Sequence, residues 1–341
     1  MITQTLTSIQ NGISLSQDEM ASCVNSIMEG EWSNEQISAF LMGLSVKGET
    51  VDEITGAATV MRNKALPINA PDNAVDCCGT GGDKSGTYNI STAVAIVAAA
   101  CGVPIAKHGN RSASSKSGAA DVLEALGINL NVPQEKLEEA LRVYNFAFLM
   151  APRHHAAMKY VVPVRKALGI RTIFNVLGPL SNPAKTKFQL LGVFDKGLVL
   201  PIAKTLKNLG TTSAWVVHGS DGLDEITTTG ETYCAKLKDG HIEECVIKPS
   251  DFGLDVSKAE DLIGGEPKEN AAALRNILSG EKNAYRDIVT ANTAAVLMIS
   301  GEENDLKEAA SKAQEALDSG RALKLLNNYI EFTQTYGEKA A

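Results

Sequence analysis

The chain has no excess of positive charge, no paired-cysteine motif and no long hydrophobic run. Its 32 Lys and Arg are outnumbered by 40 Asp and Glu, a formal net charge of −8. General nucleic-acid binders are basic, so that class is disfavoured; a local basic pocket for a phosphorylated small molecule is not. The cysteines Cys23, Cys77, Cys78, Cys101, Cys234 and Cys245 form no C-x-x-C pair. Most sit among apolar residues, as ordinary buried thiols do. The longest apolar run, from Ala93 to Cys101, falls far short of the about 20 residues a membrane helix needs. Met1 to Gln10 has neither a basic stretch nor an apolar core, so no signal peptide is expected. Together these absences point to a reduced, cytoplasmic chain with no membrane or nucleic-acid partner.

What is present is a sizeable apolar fraction, 44%, in 341 residues, a length that suggests about two domains. The first seventy or so residues read as helical. Ser16 with Glu19, Ser33 with Gln36 and Thr50 with Glu53 are three capping-box patterns in succession. Ile37, Phe40, Leu41 and Leu44 give the second of these helices an apolar face. Pro67 and Pro71 mark the exit, and no strand signal precedes Ala74.

From Val75 short apolar runs alternate with helical segments. Strands are expected at 103–106, 146–150, 188–194 and 213–218, and helices at 113–126 and 134–144. Runs at 233–237 and 241–247 flank Lys238-Asp239-Gly240, a hairpin signal. After Pro267 the chain is helical, broken at Gly280, Gly301 and Gly320. The fold class is therefore α/β: a small N-terminal all-helical domain plus a larger α/β domain. Its central sheet is mixed, mainly parallel and flanked by helices. The segment from His154 to Pro183 breaks the strand–helix rhythm and is expected to return to the helical domain. The expected division is 1–72 for the helical domain, joined by about 154–186, with 73–153 and 187–341 forming the α/β domain.

Three stretches carry chemistry. The first places Gly79, Gly81, Gly82 and Gly86 directly after an apolar run and before the small-residue helix that starts near Ser91. Strand, glycine loop and helix make an anion cradle, from close backbone N–H groups and a helix dipole. It is no Walker loop, because Asp83 stands before Lys84-Ser85, and no Rossmann fingerprint, because Lys84 fills the sixth position. The second stretch gathers Lys107, His108, Arg111 and Lys116 among serines and glycines, a chemistry suited to pyrophosphate or another polyanion. A solvated polar loop is the bland alternative. The third is Asp221-Gly-Leu-Asp-Glu225 after an apolar strand, either an acidic turn or a hard-cation site. His154 and His155 are a packed pair or acid–base groups, with no zinc-like spacing nearby. Arg165 is a surface cation or a bidentate carboxylate fork.

Taken together, Cys78-Gly-Thr-Gly-Gly-Asp83, Asn89-Ile-Ser-Thr92, Lys107-His-Gly-Asn-Arg-Ser112, Asn175-Val-Leu-Gly-Pro-Leu180 and Gly222-Leu-Asp-Glu225 resemble the anthranilate phosphoribosyltransferases, along essentially the whole chain. The resemblance implies transfer of phosphoribose from phosphoribosyl pyrophosphate to the amine of anthranilate, with Mg2+, in tryptophan biosynthesis. By position it implies a donor site of Gly79, Gly82, Asp83, Thr87, Asn89, Ile90, Ser91, Thr92, Lys107, His108, Gly109, Asn110, Arg111, Ser112, Ala113, Ser114, Ser115 and Ala119. It implies anthranilate contacts at Gly79, Asn110, His155, Arg165 and Gly178, and metal ligands Ser91, Asp224 and Glu225. His108 is the candidate to take up the amine proton. Ala119 departs from the family's usual Ser, which removes one hydroxyl, about 1 kcal/mol of donor binding. A homodimer through the helical domain and hinge closure are also implied, and association with anthranilate synthase is left open. The alternatives are a pyrimidine nucleoside phosphorylase-like enzyme, whose Lys-His-Ser-Thr-Gly-Gly loop is not found here, and a catalytically silent phosphoribosyl-binding regulator.

Overall fold

A computed structural model describes residues 2–83, 85–112 and 116–338. The three capping boxes start the helices Gln17–Met28, Asn34–Lys47 and Val51–Lys64, preceded by Ile2–Gln10. Each cap side chain accepts an otherwise orphaned N–H while the N3 side chain reaches back to the cap. Glu53 does more than cap. Fully buried, it also accepts the Leu15 N–H at 2.9 Å and pairs with Lys47 at 2.9 Å, so it ties two helices to the loop before Gln17. Phe40, Leu41 and Leu44 are buried in a core with Met20 and Ile27. Val161, Val164, Ile173, Phe174, Leu177 and Leu180 enter the same core from the later helices Val162–Leu168 and Phe174–Leu180. It continues onto one sheet face through Leu191, Val216 and Ala235.

The seven strands are β1 Val75–Gly79, β2 Ile105–Gly109, β3 Phe146–Met150, β4 Phe188–Gly192, β5 Ser213–Gly219, β6 Thr232–Lys238 and β7 His241–Ile247. They lie in the order β3-β2-β1-β4-β5-β6-β7. Pairings from β3 to β5 are parallel, and β5–β6 and β6–β7 are antiparallel. The β6–β7 turn puts Asp239 at φ 47° and Gly240 at φ 80°, the two positive values that a two-residue hairpin turn needs. The opposite sheet face is covered by the helices Ile90–Ala100, Ala284–Ser300 and Arg321–Tyr336. Ile90–Ala100 is apolar nearly all round because it lies between the sheet and the outer helices. Among the described residues no helix is long and apolar enough to cross a membrane.

Three boundaries differ from the sequence reading. The helix expected at 113–126 spans Ala119–Ala125, and 113–115 lie outside the described residues. Its start is set by Asp121, whose carboxylate takes the N–H groups of Gly118 at 2.9 Å and Ser112 at 3.0 Å. β2 begins later and takes in Lys107 and His108. β4 stops at Gly192, where the backbone of Asp224 lies against the strand end.

Successive parallel strands step from β1 through β2 to β3, and the chain then returns to the other side of β1 as β4. That reversal opens a crevice beyond the carboxyl ends of β1 and β4, where ligands of open α/β sheets bind. Gly79 and Gly192 are register partners at this point.

Candidate active site

Asp224 fills the crevice from above. A Cβ on Gly79 would lie 2.2 Å from the Asp224 Oδ2, and one on Gly192 would lie 1.5 Å from the Asp224 carbonyl oxygen. Only two side chains of zero length leave room for the aspartate. The space over Gly79 therefore belongs to Asp224 in the first place. The Gly81 N–H then donates to the same Oδ2 at 2.7 Å, and Gly81, at φ 68°, supplies the turn that aims it. A distant acidic motif and the glycine loop thus close into one site.

Glu225 extends the charge. The Ser91 backbone N–H, at the start of the helix Ile90–Ala100, donates to it. Lys107 lies below them, 1% exposed, donating to the Cys77 carbonyl at 2.6 Å and to Ser91 Oγ at 3.2 Å. Burial raises the Asp224 carboxyl to about 6, helped by Asp83 and opposed by the Gly81 N–H. Burial raises Glu225 to about 8, with Asp224 and Asp83 adding repulsion and Lys107 opposing them. Among the described residues the buried Lys107 ammonium does not offset these carboxylates. Among the described residues no three His, Cys, Asp or Glu side chains gather as a complete metal cage. Two carboxylates and a hydroxyl suit a hard cation that keeps water or phosphate oxygens as its other ligands. Asp221 stands apart. It accepts the Thr227 and Thr229 hydroxyls, each at 2.6 Å, and holds its own turn.

The rest of the glycine loop is strapped in place. Ser85 Oγ donates to Asp83 at 2.5 Å. Thr87 pairs with Ile263, and the Gly264 N–H donates to the Gly86 carbonyl at 2.8 Å. Lys84 lies outside the described residues. Asn89 holds Ser117 through two hydrogen bonds, at 3.1 and 3.0 Å, and its Oδ1 also accepts from Asn270 at 2.9 Å. Ile90 and Thr92 are buried, so their side chains face the core. At the end of β2, Asn110 is exposed and Gly109 packs on Phe148 and Ala119. Arg111 does not point into the crevice alone: it pairs with Asp121 at 3.1 Å and Glu124 at 2.8 Å. Ser112 gives its N–H to Asp121, and Ala113, Ser114 and Ser115 lie outside the described residues.

The helices after β3 supply the other wall. Arg171 reaches over to donate to the Gly82 carbonyl, its guanidinium 4.0 Å from the Phe194 ring centroid. Arg165 is half-buried beside Phe174, and burial lowers its pKa with no charged neighbour opposing. Gly178 is exposed, with open space where a Cβ would stand. The rings of His108 and His155 meet edge-on at 5.1 Å. Burial, then the neighbouring histidines, lower His108 to about 3; burial and His154 lower His155 to about 4. Both are neutral near pH 7, each with a buried Nε2 that has no partner among the described residues.

Sequence reasoning missed two groups here. Gly192 has no motif of its own and gains its role only from its register with Gly79. Asn292, fully buried in the helix Ala284–Ser300, accepts the Ile226 N–H at 2.9 Å and donates to the Ile226 carbonyl at 2.8 Å. This amide clamp fixes the backbone immediately after Glu225. An asparagine inside an apolar helical run was the one signal that could have found it.

Known proteins match this arrangement throughout. A model described as "Glycosyl transferase family, a/b domain" matches residues 71–323, and one described as "Glycosyl transferase family, helical bundle domain" matches residues 3–65. The chain is 54% identical over 325 residues to the anthranilate phosphoribosyltransferase of Parvibaculum lavamentivorans, covering 95% of both. It superimposes on the crystal structure of the anthranilate phosphoribosyltransferase from Thermus thermophilus with a TM-score of 0.92 at 41% identity, over 97% of this chain and 99% of that one. The Saccharomyces cerevisiae enzyme, in complex with PRPP and Mg, gives a TM-score of 0.89 at 30% identity, over 98% of each chain. With both parts of the chain matched over nearly their whole length, the chain belongs to the anthranilate phosphoribosyltransferase family.

Proposed function

We infer that this chain transfers the 5-phosphoribosyl group of phosphoribosyl pyrophosphate to the amine of anthranilate, releasing pyrophosphate, in tryptophan biosynthesis. The observation that carries the reading is Asp224 lodged in the Gly79–Gly192 slot at the strand-order reversal, facing the glycine loop. The donor lies over the loop from Gly79 to Thr92, its phosphates meeting backbone N–H groups and the start of the helix Ile90–Ala100. The loop from Lys107 to Ser112, with Ala119, closes its other side. Lys107 acts from below, as a buried cation that holds Ser91, rather than as a direct phosphate ligand.

The oxygen donors Ser91, Asp224 and Glu225 would hold Mg2+. Raised carboxyl pKa values, with Lys107 the one buried ammonium beside them among the described residues, are what an acid pair built to receive a cation displays. A bound magnesium ion would offset the charge that develops on the leaving pyrophosphate. The chain's own residues do the positioning. Arg165, half-buried with no ion pair among the described residues, takes the anthranilate carboxylate and directs the amine at the anomeric carbon. Asn110, Gly178 and His155 border the acceptor's path, and the missing side chain of Gly178 leaves it open. The aromatic amine attacks with its own lone pair. No strong base is needed, and the low pKa of His108 suits a neutral hydrogen-bond acceptor better than a proton store.

We further propose that 1–72 with about 154–186 form one domain and 73–153 with 187–341 the other, closing by a hinge. The shared core of the early and later helices supports this. A cytoplasmic homodimer through the helical domain is supported by exposed Ile13, Met42 and Val46 on that surface.

Steady-state kinetics of Arg165→Ala test the acceptor site. The KM for anthranilate rises about tenfold or more, near 1.4 kcal/mol of lost binding, while the donor KM stays within about twofold. An equal rise for both substrates contradicts the role given to Arg165.

A further inference from the structure

The β6–β7 hairpin carries two cysteines that the transfer reaction does not use. Cys234 and Cys245 stand directly opposite each other in the antiparallel register, and both are free thiols. Facing residues on such strands project to the same side, with Cα atoms about 4.5–5.5 Å apart. A disulfide spans Cα separations of about 4.4–6.8 Å, a range that contains the spacing of facing residues. Cys234 is buried and Cys245 is half-buried on the outermost strand.

The two thiols differ in reactivity. A hydrogen bond with Cys234 lowers Cys245 to about 7; Lys236 adds to this, against burial and Glu243. Burial pushes Cys234 up. The remaining cysteines are inert by comparison: burial raises Cys77 to about 12, Cys101 to about 11, and Cys23 and Cys78 as well. A thiolate poised near neutral pH beside a resolving thiol is the arrangement of an oxidisable pair.

The geometry points to Cys234–Cys245 as a modification site, a cross-strand dithiol that a peroxide converts to a disulfide. The Cys245 thiolate attacks one oxygen of hydrogen peroxide. The O–O bond breaks, Cys245 becomes a sulfenic acid, and the released hydroxide takes a proton to leave as water. Cys234 sulfur then displaces the hydroxyl from Cys245 sulfur, and a second water leaves with the Cys234 proton. Two thiols are oxidised and one peroxide is reduced to two waters. The bond pins the register of a strand that braces the carboxylate loop. Thr232, two residues before Cys234, accepts the Thr227 N–H at 3.0 Å, just beyond Glu225.

Mass spectrometry of the whole protein treated with hydrogen peroxide tests this. Lys236 and Lys238 separate the two cysteines into different tryptic peptides, so only a disulfide joins them. The expected result is loss of two hydrogens per chain and a joined Cys234–Cys245 peptide that dithiothreitol separates. In Cys245→Ser the joined peptide is absent and Cys234 keeps its thiol. Without peroxide, iodoacetamide at pH 7 labels Cys245 about tenfold or more faster than Cys77. A different cysteine pair joined, Cys245 carried to sulfinic acid with no joined peptide, no change on treatment, or Cys245 labelled no faster than Cys77 would each overturn the proposal.

Discussion

Asp224 and Glu225 lie side by side, with Asp83 close by and a buried ammonium, Lys107, opposing Glu225. Carboxyls in an unfolded chain titrate near about 4. In the fold they titrate at about 6 and about 8. Between these limits the folded protein holds more protons than the unfolded chain, so stability is full below about pH 4 and falls as pH rises through both folded values. Thermal melts without metal are expected to show the melting temperature declining between about pH 5 and pH 8 through this pair. Asp224→Asn combined with Glu225→Gln flattens that decline and abolishes stabilisation by Mg2+ at pH 8. A decline of the same size in the double variant would contradict the assignment. The sequence showed which groups were present, but not where they point. Lys107 reads as a loop cation beside Arg111. As a strand residue it turns inward to Cys77 and Ser91, whereas Arg111 turns outward to Asp121 and Glu124.

Among the elements, the ends of β1 and β4 form the slot that positions Asp224. Gly192→Ala places a Cβ where the Asp224 carbonyl oxygen now lies. Neither backbone nor strand end can yield cheaply, and overpacking of this kind costs about 1–3 kcal/mol. The variant is expected to melt lower and to need more Mg2+ for half-maximal activity. Unchanged stability and Mg2+ dependence would contradict the slot. Elements governed by neighbours in sequence were legible: the three capping boxes, the Asp239–Gly240 turn and the strand Phe146–Met150. The end of β4 at Gly192 and the helix start at Ala119 were not. The first depends on backbone brought in from elsewhere, that of Asp224; the second depends on Asp121, inside the helix, gathering the N–H groups of Gly118 and Ser112.

At the scale of the whole molecule, one apolar core runs from the first helices through 161–180 to a face of the sheet, and a second fills the other face. Periodicity could show that both parts are built from amphipathic pieces. It could not show which residues of a segment beyond β3 meet the first helices; only the break in rhythm from His154 to Pro183 hinted at the return. Polar contacts tie this segment to the first helices and to the glycine loop. Arg171 binds the Gly82 carbonyl, Ser45 Oγ donates to the Arg171 carbonyl at 3.3 Å, and Arg62 donates to the Leu180 carbonyl at 2.6 Å. The central claim, that this crevice joins phosphoribose to an aromatic amine, is tested most directly by following anthranilate fluorescence with protein, Mg2+ and phosphoribosyl pyrophosphate. The signal is predicted to fall only when all are present, with pyrophosphate released in equal amount. A steady signal with correctly folded protein would contradict the account.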